Sequence, residues 1–391
     1  MERADLNLSA GPNDLSADVL AAVGSPILYH YDPVFQERFR AAEERIARIY
    51  RSTSHEIILM QGEAVLGLEA AARAVVSPGM PCLNLVSGVF GKGFGYWLTA
   101  IGADLHEIEV GYDDAVDPAA VAAYLDAHPE IRVVSVVHSE TPSGTLNPVR
   151  EIGPIARAHD AVTIVDVVSS FGGIELDAEA WQLDLLVAGP QKCLGGPPGM
   201  SLMAVSEQAW AAIERNPGAP RGSFLSMLDW REQWHGDGHF PFTPSVSDLH
   251  GVLAAADGLL AEGLDASIDR HARIAAAAWD GVEAMRLQPW PVRREIAAAC
   301  VTAIRLPNGL TDVGVRDHAR ARYGVQLSSG QGVGNVVRMG HMGATARPML
   351  MIAGLAAIGR TLADMGAQVD VGAGLDAALA SLSASAPRMD A

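Results

Sequence analysis

Two stretches of the sequence decide the fold: VTIVD at residues 162–166 and LDLLVAGPQK at residues 183–192. Each contains a largely continuous apolar run, which is typical of a strand buried on both faces of a sheet. The first stretch ends in the carboxylate of Asp166, and the second ends in a glycine-containing turn that carries Lys192. Because ligands bind at the carboxyl ends of strands in a parallel sheet, both side chains are candidate site residues.

Apolar runs alternate with helical patterns over residues 55–215, which predicts an α/β fold with a mostly parallel, seven-stranded sheet covered by helices. The predicted strands cover residues 56–60, 81–86, 105–110, 132–137, 162–167, 183–188 and 201–205. The predicted helices between them cover residues 66–76, 94–101, 118–127, 149–159 and 207–215.

The C-terminal half has a different pattern. We expect a Pro-, Gly- and Trp-rich loop region at residues 218–245 and helical periodicity at residues 246–285. Beyond it we expect a small α+β unit, with a strand at residues 299–305 and helices at residues 315–322 and after residue 348. The predicted domains are an N-terminal segment (residues 1–15), a large domain that contains the candidate lysine (16–260) and a small domain (261–391).

Composition limits the function classes. With 391 residues, 49% apolar and 19% charged, the chain can bury a large core, and a net charge of −18 argues against nucleic acid or an anionic membrane as partner. Three scattered cysteines predict a reducing compartment rather than a disulfide framework. The sequence shows neither a signal-peptide pattern nor an apolar stretch of membrane-spanning length, so we expect a cytoplasmic protein.

Lysine is scarce in this chain: only Lys92 and Lys192 occur among 28 lysine and arginine residues. A lysine that survives this bias indicates a position where arginine cannot substitute, since a lysine amine can lose its proton and act as a nucleophile. Lys192 is therefore a candidate for a Schiff base with a carbonyl compound; the alternative is a compositional leftover in a turn. Asp166 is a candidate for keeping a pyridine nitrogen protonated, as vitamin B6 chemistry requires; the alternative is a helix cap.

Four motifs resemble those of the class-V, fold-type-I aminotransferases, and the resemblance covers nearly the whole chain. They are GEAVLGLEAA at residues 62–71, DVVSS at 166–170, GPQK at 189–192 and RMG at 338–340. The resemblance implies a fold like that of the pyridoxal phosphate-dependent transferases, with a large domain and a small C-terminal α+β domain.

The same resemblance assigns expected roles to four residues. It implies that Lys192 is the Schiff-base lysine and that Asp166 is the partner of the ring nitrogen. Phe90, where relatives carry tyrosine or tryptophan, is expected to stack on the face of the ring. Thr141 is expected to hydrogen-bond the 3-hydroxyl group of the ring.

Glu63 departs from the family pattern. Relatives have small or hydroxyl residues here, at the helix N-terminus that holds the cofactor phosphate. Two unit charges ~4 Å apart repel by about 4 kcal/mol at an effective dielectric of ~20, which weakens phosphate binding by roughly a thousandfold. The same carboxylate can accept a hydrogen bond from a free 5′-hydroxyl group. The alternative is that Glu63 only complements the helix dipole.

Three segments, at residues 62–69, 87–97 and 141–145, make the chain most similar to family members that act on unphosphorylated pyridoxamine and pyruvate. With Glu63, this similarity predicts that pyridoxamine and pyridoxal are substrates and that no cofactor is tightly bound.

Arg338 matches the arginine with which the family binds the carboxylate of its substrate, a planar bidentate pairing that lysine cannot reproduce. Some relatives have a second arginine after a Ser-Ser-Gly tripeptide; here Gln331 stands in that place, and it contributes hydrogen bonds without charge. Arg347 is a candidate for compensating that charge. The identity of the 2-oxo acid therefore stays open.

These observations predict an aminotransferase that moves an amino group between pyridoxamine and a small 2-oxo acid such as pyruvate, as a homodimer or homotetramer. The alternatives are a conventional pyridoxal phosphate-dependent alanine– or serine–glyoxylate aminotransferase, a protein that only sequesters vitamin B6, and a Schiff-base lyase or desulfurase of the same fold. We expect no metal site, since the paired His235 and His239 lie in a glycine-containing stretch.

Overall fold

The computed structural model describes residues 4–384. Its strands are β1 (Leu6–Asn7), β2 (Glu56–Gln61), β3 (Pro81–Val86), β4 (Asp104–Glu109), β5 (Val133–Val137), β6 (Ser139–Glu140), β7 (Thr145–Leu146), β8 (Val162–Asp166), β9 (Leu185–Ala188), β10 (Met200–Val205), β11 (Gln288–Pro289), β12 (Val301–Arg305), β13 (Val325–Gln326), β14 (Ser328–Ser329) and β15 (Val336–Gly340).

The α-helices are α1 (Ala17–Val23), α2 (Pro33–Ile49), α3 (Ala64–Val75), α4 (Val89–Ile101), α5 (Pro118–Ala127), α6 (Val149–Ala158), α7 (Glu207–Arg215), α8 (Met227–Asp229), α9 (Val246–Glu262), α10 (Leu264–Ala284), α11 (Asp312–Tyr323), α12 (Pro348–Asp364) and α13 (Val371–Ala384). A π-helical segment (Trp230–Asp237) and two 3-10 turns (Arg294–Ile296 and Gly343–Thr345) complete the helical elements.

The central sheet has seven strands in the order β2-β10-β9-β8-β5-β3-β4. Its neighbouring strands run parallel except β10, which is antiparallel to both β2 and β9. This arrangement confirms the predicted α/β fold with a mostly parallel seven-stranded sheet. A separate antiparallel sheet, in the order β11-β12-β15-β14, forms in the C-terminal part, as expected for an α+β unit.

Side chains cap the N-termini of several helices through hydrogen bonds to nearby backbone N–H groups. In α5, the Asp117 carboxylate accepts a hydrogen bond from the Ala119 N–H at 3.0 Å, and Pro118 occupies the first helical position. In α7, the Ser206 hydroxyl accepts a hydrogen bond from the Ala209 N–H at 3.1 Å. Such local signals are readable in sequence, and the predicted bounds of both helices agree with the structure.

Two predictions about helices are wrong, and a third, the helical pattern at residues 246–285, is confirmed with one break. Helix α4 begins at Val89 rather than Phe94, because the carboxylate of the distant residue Glu140 caps its glycine-rich first turn. The helical pattern over residues 246–285 is interrupted by Gly263, whose φ of 97° ends α9 and starts α10. The loop expected at residues 218–245 contains α8 and the π-helical segment, in which Trp234 stacks on Phe240 with ring centroids 4.1 Å apart.

The buried apolar residues form two main clusters. One surrounds the central sheet and includes side chains from α2, α3 and α9. The other lies under α10, α12 and the antiparallel C-terminal sheet. The N-terminal segment attaches to the second cluster: β1 pairs in parallel with β13, and Leu8 is buried there. Within residues 4–384, no helix combines the length and hydropathy that a membrane crossing requires.

His235 provides a pH-dependent contribution to stability. It forms ion pairs with Glu43, at 3.0 Å, and with Glu56. Although burial by itself lowers the pKa of His235, hydrogen bonds to these two carboxylates raise it to about 9. A pKa raised above that of the unfolded chain means that this stabilisation is complete below about pH 6.5 and is lost as pH rises through the folded value.

We therefore expect the free energy of unfolding to fall by about 1–3 kcal/mol between about pH 6.5 and 9.5 through this residue. In the variant His235→Gln, urea unfolding at several pH values should show a correspondingly smaller decrease. The matched control is His239→Gln, four residues along the same segment, which should keep the wild-type slope. Identical slopes for wild type and His235→Gln would contradict the prediction.

Candidate active site

A cavity of about 430 Å³ opens at the carboxyl edge of the central sheet. Its walls come from the ends of β8 and β9 and from the N-terminal turns of α3 and α4. It brings together all the residues that the sequence predicts around a pyridine ring: Glu63, Phe90, Thr141, Asp166 and Lys192. Their individual roles stay predictions, and the contacts below show what each can do.

Lys192 lies between the cavity and the N-terminal segment. Its Nζ donates a hydrogen bond to the carbonyl oxygen of Ala10 at 2.5 Å. The residue after Ala10 must be glycine. Gly11 has a φ of 91°, and a Cβ there would lie 2.4 Å from Cδ of Lys192. Burial lowers the pKa of Lys192 against the opposing effect of Cys300, and the positive charge of Arg338 adds to the decrease. Both influences favour the neutral amine, the form that acts as a nucleophile or base.

Asp166 ends β8, beside the turn that carries the lysine. One of its carboxylate oxygens, Oδ1, accepts a hydrogen bond from the Val168 N–H at 2.9 Å. The pKa of Asp166 is raised to about 6: burial is the main cause and the charge of Glu63 contributes, while the Val168 hydrogen bond and Lys192 oppose the increase. A carboxylate of this kind gains from an adjacent cation, and the protonated nitrogen of a pyridine ring supplies one.

Glu63 is the N-cap residue of α3, one position before the helix rather than within its first turn. Gly62, with a φ of 130°, turns the chain from β2 into the helix. Of the Glu63 carboxylate oxygens, Oε2 accepts the Val65 N–H at 2.9 Å, and Oε1 accepts the amide of Gln191 at 2.7 Å. An N–H group that could bind a phosphate is therefore already paired with a protein carboxylate.

Gln191 is a site residue that the sequence analysis did not single out. It directly precedes Lys192, so its hydrogen bond to Glu63 ties the lysine turn to the N-terminus of α3. The available signal was its position inside the GPQK motif, between the rigid Pro190 and the lysine. Because Glu63 accepts two hydrogen bonds from fixed groups, its carboxylate has a defined orientation at the cavity.

Phe90 and Thr141 approach the cavity from neighbouring elements. Phe90 lies in the first turn of α4, with 39% of its surface exposed, and Thr141 follows β6 and is buried. The residue before Thr141, Glu140, was also missed in the sequence analysis. Its buried carboxylate accepts hydrogen bonds from the backbone of α4, and this contact explains the early start of that helix.

Arg338 is a buried cation without a carboxylate partner within residues 4–384. Only 4% of its surface is exposed, and burial lowers its pKa to about 10. Its guanidinium donates to the carbonyl oxygens of Ser329 at 2.5 Å and Thr141 at 2.8 Å, and to Oε1 of Gln331 at 3.1 Å. The structure thus joins Arg338 to Gln331 and, through Thr141, to the cavity. An uncompensated buried charge of this kind favours an anionic ligand.

Two other candidates lie elsewhere. Arg347 lines a separate cavity of about 430 Å³ together with Glu262 and Arg270, so it does not stand beside Arg338. Lys92 forms ion pairs with Glu107 at 2.7 Å and Glu109 at 3.0 Å, which indicates a structural role.

Residues 4–384 contain no group of three or more His, Cys, Asp and Glu side chains arranged to hold a metal ion.

Comparison with known proteins defines the class of protein. The model of the class-V aminotransferase family matches residues 13–353, and the chain belongs to that family. Pyridoxamine–pyruvate transaminase of Mesorhizobium japonicum is 48% identical over 389 residues, which cover 98% of this chain and 99% of that protein. L-aspartate–glyoxylate aminotransferase of Paracoccus denitrificans is 30% identical over 377 residues, which cover 94% of this chain and 93% of that protein.

The solved structures agree with this assignment. The crystal structure of pyridoxamine–pyruvate aminotransferase from Mesorhizobium loti matches with a TM-score of 0.96 and 47% sequence identity, over 98% of each chain. The comparisons therefore confirm the predicted family and the fold-type-I architecture, and they confirm that the chain is an aminotransferase-type enzyme rather than a sequestering protein.

We predict that Glu63→Ser shifts the preference between pyridoxal and pyridoxal phosphate toward the phosphate. Removing the carboxylate removes a charge repulsion at the N-terminus of α3, and the serine hydroxyl that replaces it is a neutral cap. Because Glu63 is solvent-exposed, screening reduces the effect, and we expect the affinity ratio to shift toward the phosphate by roughly ten- to a hundredfold. Absorbance titrations with both compounds measure it.

The control for this experiment is Glu69→Ser, which removes a carboxylate from the same helix α3, where it pairs with Arg73 at 2.7 Å. That variant should keep the wild-type preference. If Glu63→Ser also keeps it, Glu63 only caps the helix.

Proposed function

We propose that this enzyme transfers the amino group between pyridoxamine, the unphosphorylated form of vitamin B6, and a small 2-oxo acid such as pyruvate, giving pyridoxal and an L-amino acid. The observation that carries the proposal is the Glu63 carboxylate on the N-terminus of α3, where a phosphate would otherwise bind. The activity named for the relative with 48% identity supports it.

The cavity residues fit a pyridoxine-type ring better than they fit its phosphate ester. Asp166 is placed to hold a proton on the ring nitrogen, Phe90 to pack on the ring face, and Thr141 to bond the 3-hydroxyl. Near the expected position of the 5′ substituent, Glu63 is placed to accept a hydrogen bond from a 5′-hydroxyl group and to repel a phosphate dianion. When bound, the protonated ring supplies an electron sink for breaking a C–H bond.

Lys192 is the group that moves the proton in this proposal. Its lowered pKa leaves a neutral fraction of Nζ available at ordinary pH, and this amine takes a proton from one carbon and returns it to another. The Ala10 carbonyl holds Nζ in place between transfers. The same amine condenses with the aldehyde of pyridoxal.

On the oxo-acid side of the site, the direct contacts are one guanidinium and one amide. Arg338 is placed to bind the carboxylate, and Gln331 lies 3.1 Å from it and contributes an amide without a second charge. This combination favours a monocarboxylic 2-oxo acid over a dicarboxylic one, because a second carboxylate would lack a cationic partner.

A conventional aminotransferase with tightly bound pyridoxal phosphate is the second candidate, and its support is membership of a family that depends on that cofactor. The absence of a tightly held cofactor, the cytoplasmic location and the homodimeric or homotetrameric state belong to the first proposal as predictions. The spectrum of the protein purified without added cofactor separates the two candidates.

The proposal predicts a colourless protein that develops a visible band when pyridoxal is added, and does so less readily with pyridoxal phosphate. Lys192→Ala should lose that band and reduce turnover by roughly a thousandfold or more, since it removes both nucleophile and base. Lys92→Arg replaces the other lysine and keeps its positive charge, so it should behave as wild type. A protein that is yellow as purified would favour the conventional aminotransferase instead.

Arg338→Lys should selectively weaken binding of the oxo acid. Losing the bidentate pairing should raise KM for pyruvate by roughly ten- to a hundredfold, while pyridoxal binding in the absence of oxo acid changes little. Steady-state kinetics with varied pyruvate and a pyridoxal titration give the two quantities. Arg347→Lys, at the separate cavity, is the matched control and should leave both near wild type. Equal losses in both quantities would show that Arg338 supports the site as a whole.

A further inference from the structure

We propose that Glu140 is a positioning residue that holds the ring-stacking Phe90 in place by capping the N-terminus of α4. The inference goes beyond the proposed function, because it concerns how the ring face is supported rather than which compound is converted. It rests on Phe90 contacting a bound ring, which both candidate functions share.

The contacts are direct. The Glu140 oxygen Oε2 accepts a hydrogen bond from the Phe90 N–H at 3.2 Å, and Oε1 accepts one from the Gly91 N–H at 2.6 Å. These N–H groups belong to the first turn of the helix, where no partner within the helix exists for them. The residue at the N-cap, Gly88, has no side chain that could serve instead.

The backbone around this carboxylate is built to admit it. A Cβ added at Gly88 would lie 2.4 Å from the carboxyl carbon of Glu140, and one at Gly91 would lie 3.2 Å from its Oε1. Glycine therefore allows close approach at both positions, but it also disfavours the helix. The Glu140 carboxylate offsets that weakness, because it satisfies two N–H groups and complements the positive end of the helix dipole.

Burying the Glu140 carboxylate costs free energy, and this cost indicates that Glu140 has a specific role. Glu140 has 0% of its surface exposed, and its pKa is raised to about 7 because burial outweighs the lowering effect of the two backbone hydrogen bonds. An apolar side chain would fill the same space without that cost. What an apolar side chain cannot do is fix the first turn of α4, and Phe90 is the residue of that turn with an exposed ring at the cavity.

Glu140 also connects the ring face to the other candidate groups. Its neighbour in the chain, Thr141, lines the cavity, and the Thr141 carbonyl accepts a hydrogen bond from Arg338 at 2.8 Å. The Glu140 carbonyl accepts one from the Ser143 hydroxyl at 3.2 Å, which fixes the turn after β6. A short segment thus sets the relative positions of Phe90, Thr141 and Arg338.

The test is a double-mutant cycle between Glu140 and Phe90. Glu140→Gln replaces one of the two accepting oxygens with an NH2 group, which faces an N–H donor and cannot accept its hydrogen bond. We expect it to weaken pyridoxal binding by roughly three- to tenfold, the range of an aromatic contact, and to shift the absorbance maximum of the bound form. In a Phe90→Leu background, where no aromatic ring remains to be positioned, Glu140→Gln should have little further effect.

The matched control is Glu107→Gln. Glu107 also contacts α4, but through the side chain of Lys92 at 2.7 Å, and it does not touch the backbone at Phe90. This variant should bind pyridoxal like wild type. If Glu140→Gln does not fold, Glu140→Asp keeps the charge with a shorter reach and takes its place in the cycle.

Two outcomes would overturn the inference: unchanged ring affinity in the Glu140 variant, or equal losses with and without the Phe90 ring. The second outcome would show that Glu140 supports only the general fold. If wild type fails to bind pyridoxal, the proposed substrate is wrong, but the same cycle titrated with pyridoxal phosphate still tests Glu140. The two failures are therefore distinguishable.

Discussion

Protein carboxylates occupy both helix N-termini that border the cavity, and the proposed specificity of the site depends on this arrangement. Glu63 is hydrogen-bonded to the first turn of α3, and Glu140 to the first turn of α4. Helix N-termini ordinarily attract anions, because their free N–H groups and dipoles are positive. Here that attraction is already satisfied from within the protein, which supports the proposed preference for a neutral 5′-hydroxymethyl group over a phosphate.

The charges in the site divide according to the two substrates. Acidic groups lie around the positions expected to meet the ring, and among them Asp166 has the place suited to a protonated ring nitrogen. Lys192 and Arg338 lie toward the expected oxo acid, and the positive charge of Arg338 helps to lower the pKa of Lys192, which favours the neutral amine. A site divided in this way binds its two partners in one orientation, which is what amino-group transfer requires.

The sequence predicted the architecture well because the relevant signals are local. Continuous apolar runs revealed all seven strands of the central sheet, and the scarcity of lysine pointed to Lys192. What it did not reveal depends on contacts between distant parts of the chain. The early start of α4 depends on Glu140, about fifty positions along the chain. The role of Gln191 depends on its hydrogen bond to Glu63, which follows a different strand. No periodicity or spacing encodes such capping, since the same residues elsewhere would be ordinary polar side chains.

The near absence of lysine also protects the protein from its own chemistry. A free aldehyde such as pyridoxal condenses with any exposed, neutral amine, so an enzyme that handles one as substrate risks modification over its whole surface. Here the side-chain amines number two. Hydrogen bonds to Glu107 and Glu109 raise the pKa of Lys92 and keep it protonated and unreactive, whereas burial lowers that of Lys192. The remaining surface cations are arginines, which form no Schiff base, and the aldehyde is left one lysine with which to react.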